Sequence, residues 1–438
     1  MDATFCINQK LSFLILDLFL VLSACLISLS SVAPEFNYSL KRHHNLTKCI
    51  EKYYYLSLRS SNEVKVAGVK YGLHPEYIYQ LISNHQNYEN PPVGNFYGFL
   101  ENADKIKYKK YFRILKYIPK YGKRQIKNFV INFKGKIAIY NNAYANSYGE
   151  FVIDNYLIKP PKDSGQIFIR TYKNGPIVLD CEKACVFGHN EVFNYGHFIH
   201  DYLAPLMLVP RDFLDECVVI IPEFCRKFGV DILKAVGVVR YIYIKDNEWV
   251  HAEKLAVAVE GRPHLMHFGV PMQKLVDQLK FYFKTLDIKP TRYVLMNREL
   301  TIRRHITNFD QLVEAVNKNI KEVNFEVIED KLGTIEAYAK LYPSFKLVFL
   351  PTGSNAVKTI FMNPNSVVVI ASNEMFDFAV VYSILSVHVK VVYFIHANNH
   401  FVSFPVDINR AIEAIKIGVY ASITGHFPDP TPGVSFID

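Results

Sequence analysis

The amino-acid sequence predicts an α/β protein, and three observations lead there. From Cys217 onward, apolar β-branched runs of four to seven residues alternate with stretches of helical spacing. No tight hairpin turn joins those runs, and short strands linked through amphipathic helices form parallel sheets with both faces covered. The 438 residues suit two domains of roughly 150 to 200 residues plus appendages. Half the residues are hydrophobic, 14% aromatic and 21% charged, which excludes a disordered or collagenous chain.

Residues 1–10 read as a tail and 11–33 as a signal anchor or transmembrane segment. Leu11 to Val32 is almost wholly apolar, and as a helix rising 1.5 Å per residue it would span roughly 33 Å, enough for a bilayer core. A cleaved signal peptide is the alternative, with small residues at Ser23-Ala24-Cys25 and Ser31-Val32-Ala33. Asp17 is costly for a helix that stays in lipid. Residues 34–60 then form a luminal stalk, where Asn37-Tyr38-Ser39 and Asn45-Leu46-Thr47 are acceptor sites for glycosylation at Asn37 and Asn45. The expected protein is single-pass type II, its body luminal. Beyond Cys6 and Cys25, five cysteines remain: Cys49, Cys181, Cys185, Cys217 and Cys225. An oxidising lumen permits bridges, with Cys181/Cys185 and Cys217/Cys225 as candidates beside the alternative of buried thiols.

Residues 61–288 form the first half of the body, with a Tyr/Lys-rich extension. Ten Lys or Arg and no acid lie between Lys105 and Lys127, more than the net charge of +9. Tyr108, Tyr111, Phe112, Tyr117 and Tyr121 interleave with them, the composition of a nucleic-acid or anionic-membrane surface. Behind a secretory signal, nucleic acid is not the expected partner, and a solvated face near anionic head groups or an acidic acceptor is expected. Asn128 to Asn132 and Ile137 to Tyr140 read as short strands. Strands follow at Cys217 to Ile221 and Leu255 to Val259, and helices at Glu223 to Val236 and Met272 to Leu286. The second half, 289–438, carries strands at Tyr293 to Met296, Phe325 to Ile328, Leu347 to Leu350, Val367 to Ile370 and Val391 to Ile395. Its helices are Phe309 to Asn319, Thr334 to Leu341, Ser354 to Met362 and Val406 to Ile417. Ligands of such sheets bind outside the carboxyl ends of the strands, which singles out the loops after Met296, Leu350 and Ile370.

Three segments could carry chemistry. In Asn194-Tyr195-Gly196-His197-Phe198-Ile199-His200-Asp201, a helix would put His197 and Asp201 four apart on one face. The carboxylate then fixes the imidazole tautomer and raises its basicity, making a general base. A core-facing histidine is the structural alternative. His189, His197, His200 and Asp201 could also ligate zinc, but no HExxH pattern is present and no bound metal is expected. His264 and His267 read as a structural pair. The second segment, Asn297 to Arg304, places Arg298, Arg303 and Arg304 after a strand, and guanidinium groups there suit a diphosphate. In the third, Thr352-Gly353-Ser354-Asn355, a glycine between strand and helix lets backbone N–H groups approach an anion. Walker A and GxGxxG patterns are absent.

In order and spacing these segments resemble glycosyltransferase family 61. The matching stretches are NYGHFIHDYLAPLMLV (Asn194 to Val209), YVLMNRELTIRRHITNFDQLVEAV (Tyr293 to Val316) and the run from Phe325 through FLPTGSNAVKTIFMNPNSVVVI to Ile370. The resemblance spans roughly Ile177 to Ile370 and includes Asn308 and the closing Phe361-Met362-x-Pro364-x-Ser366. It implies a GT-B-like fold of two facing Rossmann-like halves, the second binding the nucleotide sugar. It implies a metal-independent, inverting glycosyltransferase of the Golgi or ER membrane, with a hexose or pentose from a UDP-linked donor and a glycan or glycoprotein as acceptor. On that reading His197, oriented by Asp201, is the base. Arg298, Arg304, Gly353, Ser354 and Asn355 hold the diphosphate, with Asn194, Thr352 and Lys358 as secondary candidates. The chain departs from the family pattern in three places: Thr352 replaces the usual His, Val357 and Lys358 stand where an Asn is expected, and Val369 replaces a strand-ending Glu. Lys358 or Glu374 would then supply the missing donor contacts, or the protein would be an inactive, glycan-binding relative.

Overall fold

The computed structural model of the protein describes residues 48–49, 63–83, 93–99, 126–133, 135–159, 174–187, 190–260, 267–331, 333–372, 377–395, 401–432 and 434–438. The segment 11–33, Asn37, Asn45, most of the basic stretch, His189, His264 and Glu374 lie outside them. Among the described residues, no helix is long and apolar enough to cross a membrane.

Two sheets organise an α/β body. The seven-stranded sheet runs in the order Phe325–Asp330, Arg292–Arg298, Phe345–Pro351, Val367–Ser372, Lys390–Ile395, Phe96–Phe99 and Ser435–Ile437. Its pairs are parallel except the last, where Ser435–Ile437 runs against Phe96–Phe99. The eleven-stranded sheet is mixed, which the expectation of parallel sheets from Cys217 onward meets only in part. Val218–Pro222 lies parallel to Arg240–Ile244 and Gly175–Val186, whereas Trp249–Glu260 pairs antiparallel with Lys136–Asn146. Hairpin connections from Lys136 to Lys159 add further antiparallel pairs, in the Tyr- and Asn-rich region where alternation is hard to read.

The layers explain how distant segments converge. One face of each sheet contributes to a single apolar core, Val219, Ile221 and Tyr243 from one and Val294, Leu350 and Ile370 from the other. Helical residues fill the space between, including Phe198, Leu206, Met272, Leu279 and Tyr382. The outer face of the seven-stranded sheet is covered by Phe309–Asn319 and Ile408–Thr424, with Leu347, Phe349 and Val369 beneath them. With both faces buried, Phe345–Pro351 and Val367–Ser372 read as continuous apolar runs, which is why the sequence located them.

Local differences have local causes. Asn128 to Asn132 is helical, part of Ile126–Ile131, because the Asp438 carboxylate accepts the N–H groups of Ile126 and Lys127 at 2.6 and 2.8 Å and caps the first turn. Ile126 and Val130, four apart, bury the face so formed. The helix expected over Glu223 to Val236 is broken into a 3-10 segment, Glu223–Phe228, and an α-helix, Asp231–Ala235, at Gly229 with φ 80°. Phe378–Ser386, buried all round from Ala379 onward, carries no helical stripe, and the sequence reading passed over it.

The cysteine pairings also change. Cys181 and Cys185 share the continuous strand Gly175–Val186, where four residues span roughly 13 Å, and the strand Val218–Pro222 separates Cys217 from Cys225. Neither pair meets disulfide geometry. Cys185 and Cys217 come together instead as buried free thiols, Sγ to Sγ 3.2 Å.

Candidate active site

The first motif starts a helix that spans 195–206 and loosens to π-helical hydrogen bonding over Phe198–Leu203. Such bulges recur at functional sites because they re-aim side chains within one helix. Asp201 is fully buried, and both its oxygens accept: Oδ2 from His197 Nδ1 and Oδ1 from His200 Nδ1, each at 2.7 Å. One carboxylate therefore fixes two imidazoles. His200 is buried, whereas the His197 side chain keeps 23% of its surface. The potential ligand atoms of the three lie within 4.8 Å of one another. With each Nδ1–H aimed at a carboxylate oxygen, Asp201 sets the tautomer of both neutral imidazoles and leaves Nε2 as the basic nitrogen of each. Burial pulls the His197 pKa down, but the hydrogen bond and charge of Asp201, with Glu191 and Asp377 beyond, raise it above its ordinary value. Asn194 sits at the helix entrance, its carbonyl accepting from the Phe198 N–H and its side chain donating to Glu191.

The second motif ends the strand Arg292–Arg298 and turns back through a loop that Asn297 closes. Asn297 Oδ1 accepts the N–H groups of Arg298 and Ile306, and its Nδ2 donates to the Ile306 carbonyl, all at 2.9 Å. Arg304 takes a left-handed φ of 69°, and Arg303 is exposed. Arg298 is only 8% exposed, and its Nε and Nη1 are buried with no hydrogen-bond partner among the described residues. Burial, helped by the neighbouring Arg304 charge, pulls its pKa down to about 10, against Asp330 and Asp377. It remains a cation at neutral pH. Arg304 is lowered for the same first reason, with Asp377 and Tyr393 opposing.

The third motif brings the other two together. A Cβ on Gly353 would stand 2.9 Å from Arg298 Nη1 and 2.9 Å from Arg304 Nη2, so both guanidinium groups close on this one glycine. A Cβ on Gly196 would stand 3.4 Å from the Ser354 Cα and 3.2 Å from Val357 Cγ2, so the residue before His197 packs on the residue after Gly353. Ser354–Phe361 is a 3-10 helix, entered from Gly353 at φ 134°. Ser354 and Asn355 are partly exposed at its start. Gly353→Ala is expected to destabilise the fold by about 1–3 kcal/mol, through backbone strain and displacement of the two arginines. A thermal melt checks it, an unchanged Tm being the contrary result.

The secondary candidates are placed differently. Lys358 is buried and gives its ammonium to Asp330 Oδ1 at 2.7 Å, with its pKa lowered by burial against the pull of Asp330. Thr352 is wholly buried and donates from Oγ1 to Asp377 Oδ2 at 2.8 Å. Val369 is mid-strand, buried under Gly418 of Ile408–Thr424, and the strand runs on to Ser372. The sequence reading missed two residues. His200 was weighed only as a metal ligand and proves to share Asp201. Asp377 follows the carboxyl end of that same strand, in a place where only strand-end position, not residue pattern, could have pointed to it.

No curated protein matches the chain. Among solved structures, a metal-soaked Flv1 flavodiiron core from Synechocystis sp. PCC6803 overlaps 42% of this chain and 44% of that one, at 10% identity and a TM-score of 0.23. Residues 195–369, which hold His197, Arg298, Arg304 and Gly353, match the family model described as Glycosyltransferase 61, the family that the three sequence motifs resemble.

Proposed function

We propose that the protein is an inverting glycosyltransferase that moves a sugar from a UDP-linked donor to a glycan or glycoprotein hydroxyl, without a bound metal. The observation that carries this reading is Arg298, a buried cation with unmet N–H donors, closing with Arg304 on the glycine that opens a helical segment. A buried, unpartnered guanidinium is unfavourable in isolation and becomes favourable when a phosphoryl group supplies the acceptors. Arg298, the neighbouring Arg304 and the Gly353–Ser354 backbone can neutralise a departing diphosphate, the task a metal performs in other enzymes. His197, one residue beyond the glycine that packs on Ser354, then deprotonates the acceptor hydroxyl, which attacks the sugar C1 in line with the leaving nucleotide.

The same reading extends to the whole chain. Residues 61–288 and 289–438 are taken as the facing halves of a GT-B-like body, with Phe96–Phe99 lent to the second sheet. Residues 11–33 would tether it to a Golgi or ER membrane, Asn37 and Asn45 lying on the luminal side. Calorimetric titration of the purified full-length protein with UDP, GDP and their sugars, with and without EDTA, tests the reading. Metal-independent binding of one nucleotide is expected. Absence of binding by all of them would overturn the transferase assignment and favour a glycan-binding relative with a lost donor site.

A further inference from the structure

Asp377 stands where the three motifs meet, and no motif contains it. Its Oδ2 accepts from Thr352 Oγ1 at 2.8 Å, and its backbone N–H donates to Tyr393 Oη at 2.8 Å. Tyr393 and Thr352 are both buried, so Asp377 is held through its backbone by Lys390–Ile395 and through its carboxylate by the residue that follows Phe345–Pro351, the strands on either side of Val367–Ser372. Thr352 leads directly to Gly353, on which Arg298 and Arg304 close, and Ser354 follows against Gly196 and His197. The carboxylate is thus fixed on the segment that brings the two guanidinium groups and the partly exposed imidazole together. Its charge acts on all three, holding His197, Arg298 and Arg304 more strongly protonated than they would otherwise be.

An acidic side chain beside a diphosphate site is paradoxical, because it repels the anion that the arginines attract. The paradox resolves if the carboxylate faces the neutral part of the ligand. In the reaction proposed above, on which this inference rests, the transferred sugar occupies the space between base and diphosphate clamp. Oδ2 is engaged by Thr352, while Oδ1 has no hydrogen-bond partner among the described residues and is left able to accept one from a ligand hydroxyl. We infer that Asp377 is a specificity-determining residue that accepts a hydrogen bond from a hydroxyl of the transferred sugar, with Thr352 as the residue that positions it. The Thr352 hydroxyl takes on this role at the position where the family pattern has histidine, so the departure at Thr352 and the carboxylate at Asp377 form one device.

The test compares UDP with UDP-glucose, UDP-galactose, UDP-N-acetylglucosamine and UDP-xylose by calorimetry, in wild type, Asp377→Asn and Thr352→Val. Wild type is expected to bind one UDP-sugar more tightly than UDP. Asp377→Asn, isosteric but a poorer acceptor, should erase about tenfold of that preference, while UDP itself binds no more weakly because a repelling charge has gone. Thr352→Val, which frees the carboxylate without removing it, should erase less. Binding of UDP with an unchanged sugar preference in Asp377→Asn would overturn the inference and leave the transferase reading standing, as would equal losses for UDP and UDP-sugar. Failure of wild type to bind any nucleotide would overturn both.

Discussion

Replacing Arg298 by methionine is expected to weaken donor binding about a hundredfold and, in the same variant, to raise thermal stability. The two effects have one cause. A guanidinium that is 8% exposed, with Nε and Nη1 unpaired among the described residues, carries a desolvation cost until a ligand supplies the acceptors. Methionine fills much of the same volume without that cost, so a gain of about 1 kcal/mol, read as a higher Tm, is the expected direction. Loss of a charge-assisted contact to phosphoryl oxygens accounts for the weaker binding, uniform across nucleotides because the diphosphate is common to all. A methionine variant that melts lower than wild type and binds donor normally would show that Arg298 is a structural residue.

His197→Ala should lower kcat by about 10² to 10⁴, the range for loss of a positioned general base. The pH profile carries more information than the loss. A base must be neutral to act, so activity rises with pH through the His197 pKa, and Asp201 holds that pKa above the ordinary 6.5. The acid limb of the wild-type profile is therefore expected above 6.5. In Asp201→Asn the raising charge is gone and burial, which lowers, prevails; the limb should move below 6.5 while the maximum rate also falls. An amide presents an N–H₂ group to one of the two Nδ1–H donors that Asp201 now accepts, so the orientation of His197 or His200 is lost as well. A limb that stays in place in the asparagine variant, or a fully active His197→Ala, would remove the dyad from the mechanism.

How much of this was legible from residues alone follows from what each segment buries. Phe309–Asn319 was located to the residue because Phe309, Leu312 and Val316 form a one-sided stripe. Five strands of the seven-stranded sheet were found from their apolar runs, Phe96–Phe99 and Ser435–Ile437 being passed over, and some came out short at a polar carboxyl end: Asn297, Arg298 and Ser372 are strand residues. That same bias hid Asp377 and made Val369 look like a strand end. The pairing of His197 with Asp201 was legible from helical spacing, but the π-helical turn that lets His200 share the carboxylate was not. Nor was the convergence of Gly353 with Arg298 and Arg304, since it depends on the loop that Asn297 closes. The stretch 126–131 failed for the opposite reason: its cap is Asp438, at the far end of the chain.

The strand Phe96–Phe99 lies between Lys390–Ile395 and Ser435–Ile437, pairing Phe96 with Val391. On the ribosome its hydrogen-bonding edges therefore emerge about 300 residues before either neighbour exists. At a synthesis rate of about 5 to 20 residues per second the wait is about 15 to 60 s. An apolar strand held open that long is a template for wrong partners. Fragments cut between residues 99 and 390 are therefore expected to expose this unpaired edge and to aggregate rather than yield a soluble second half.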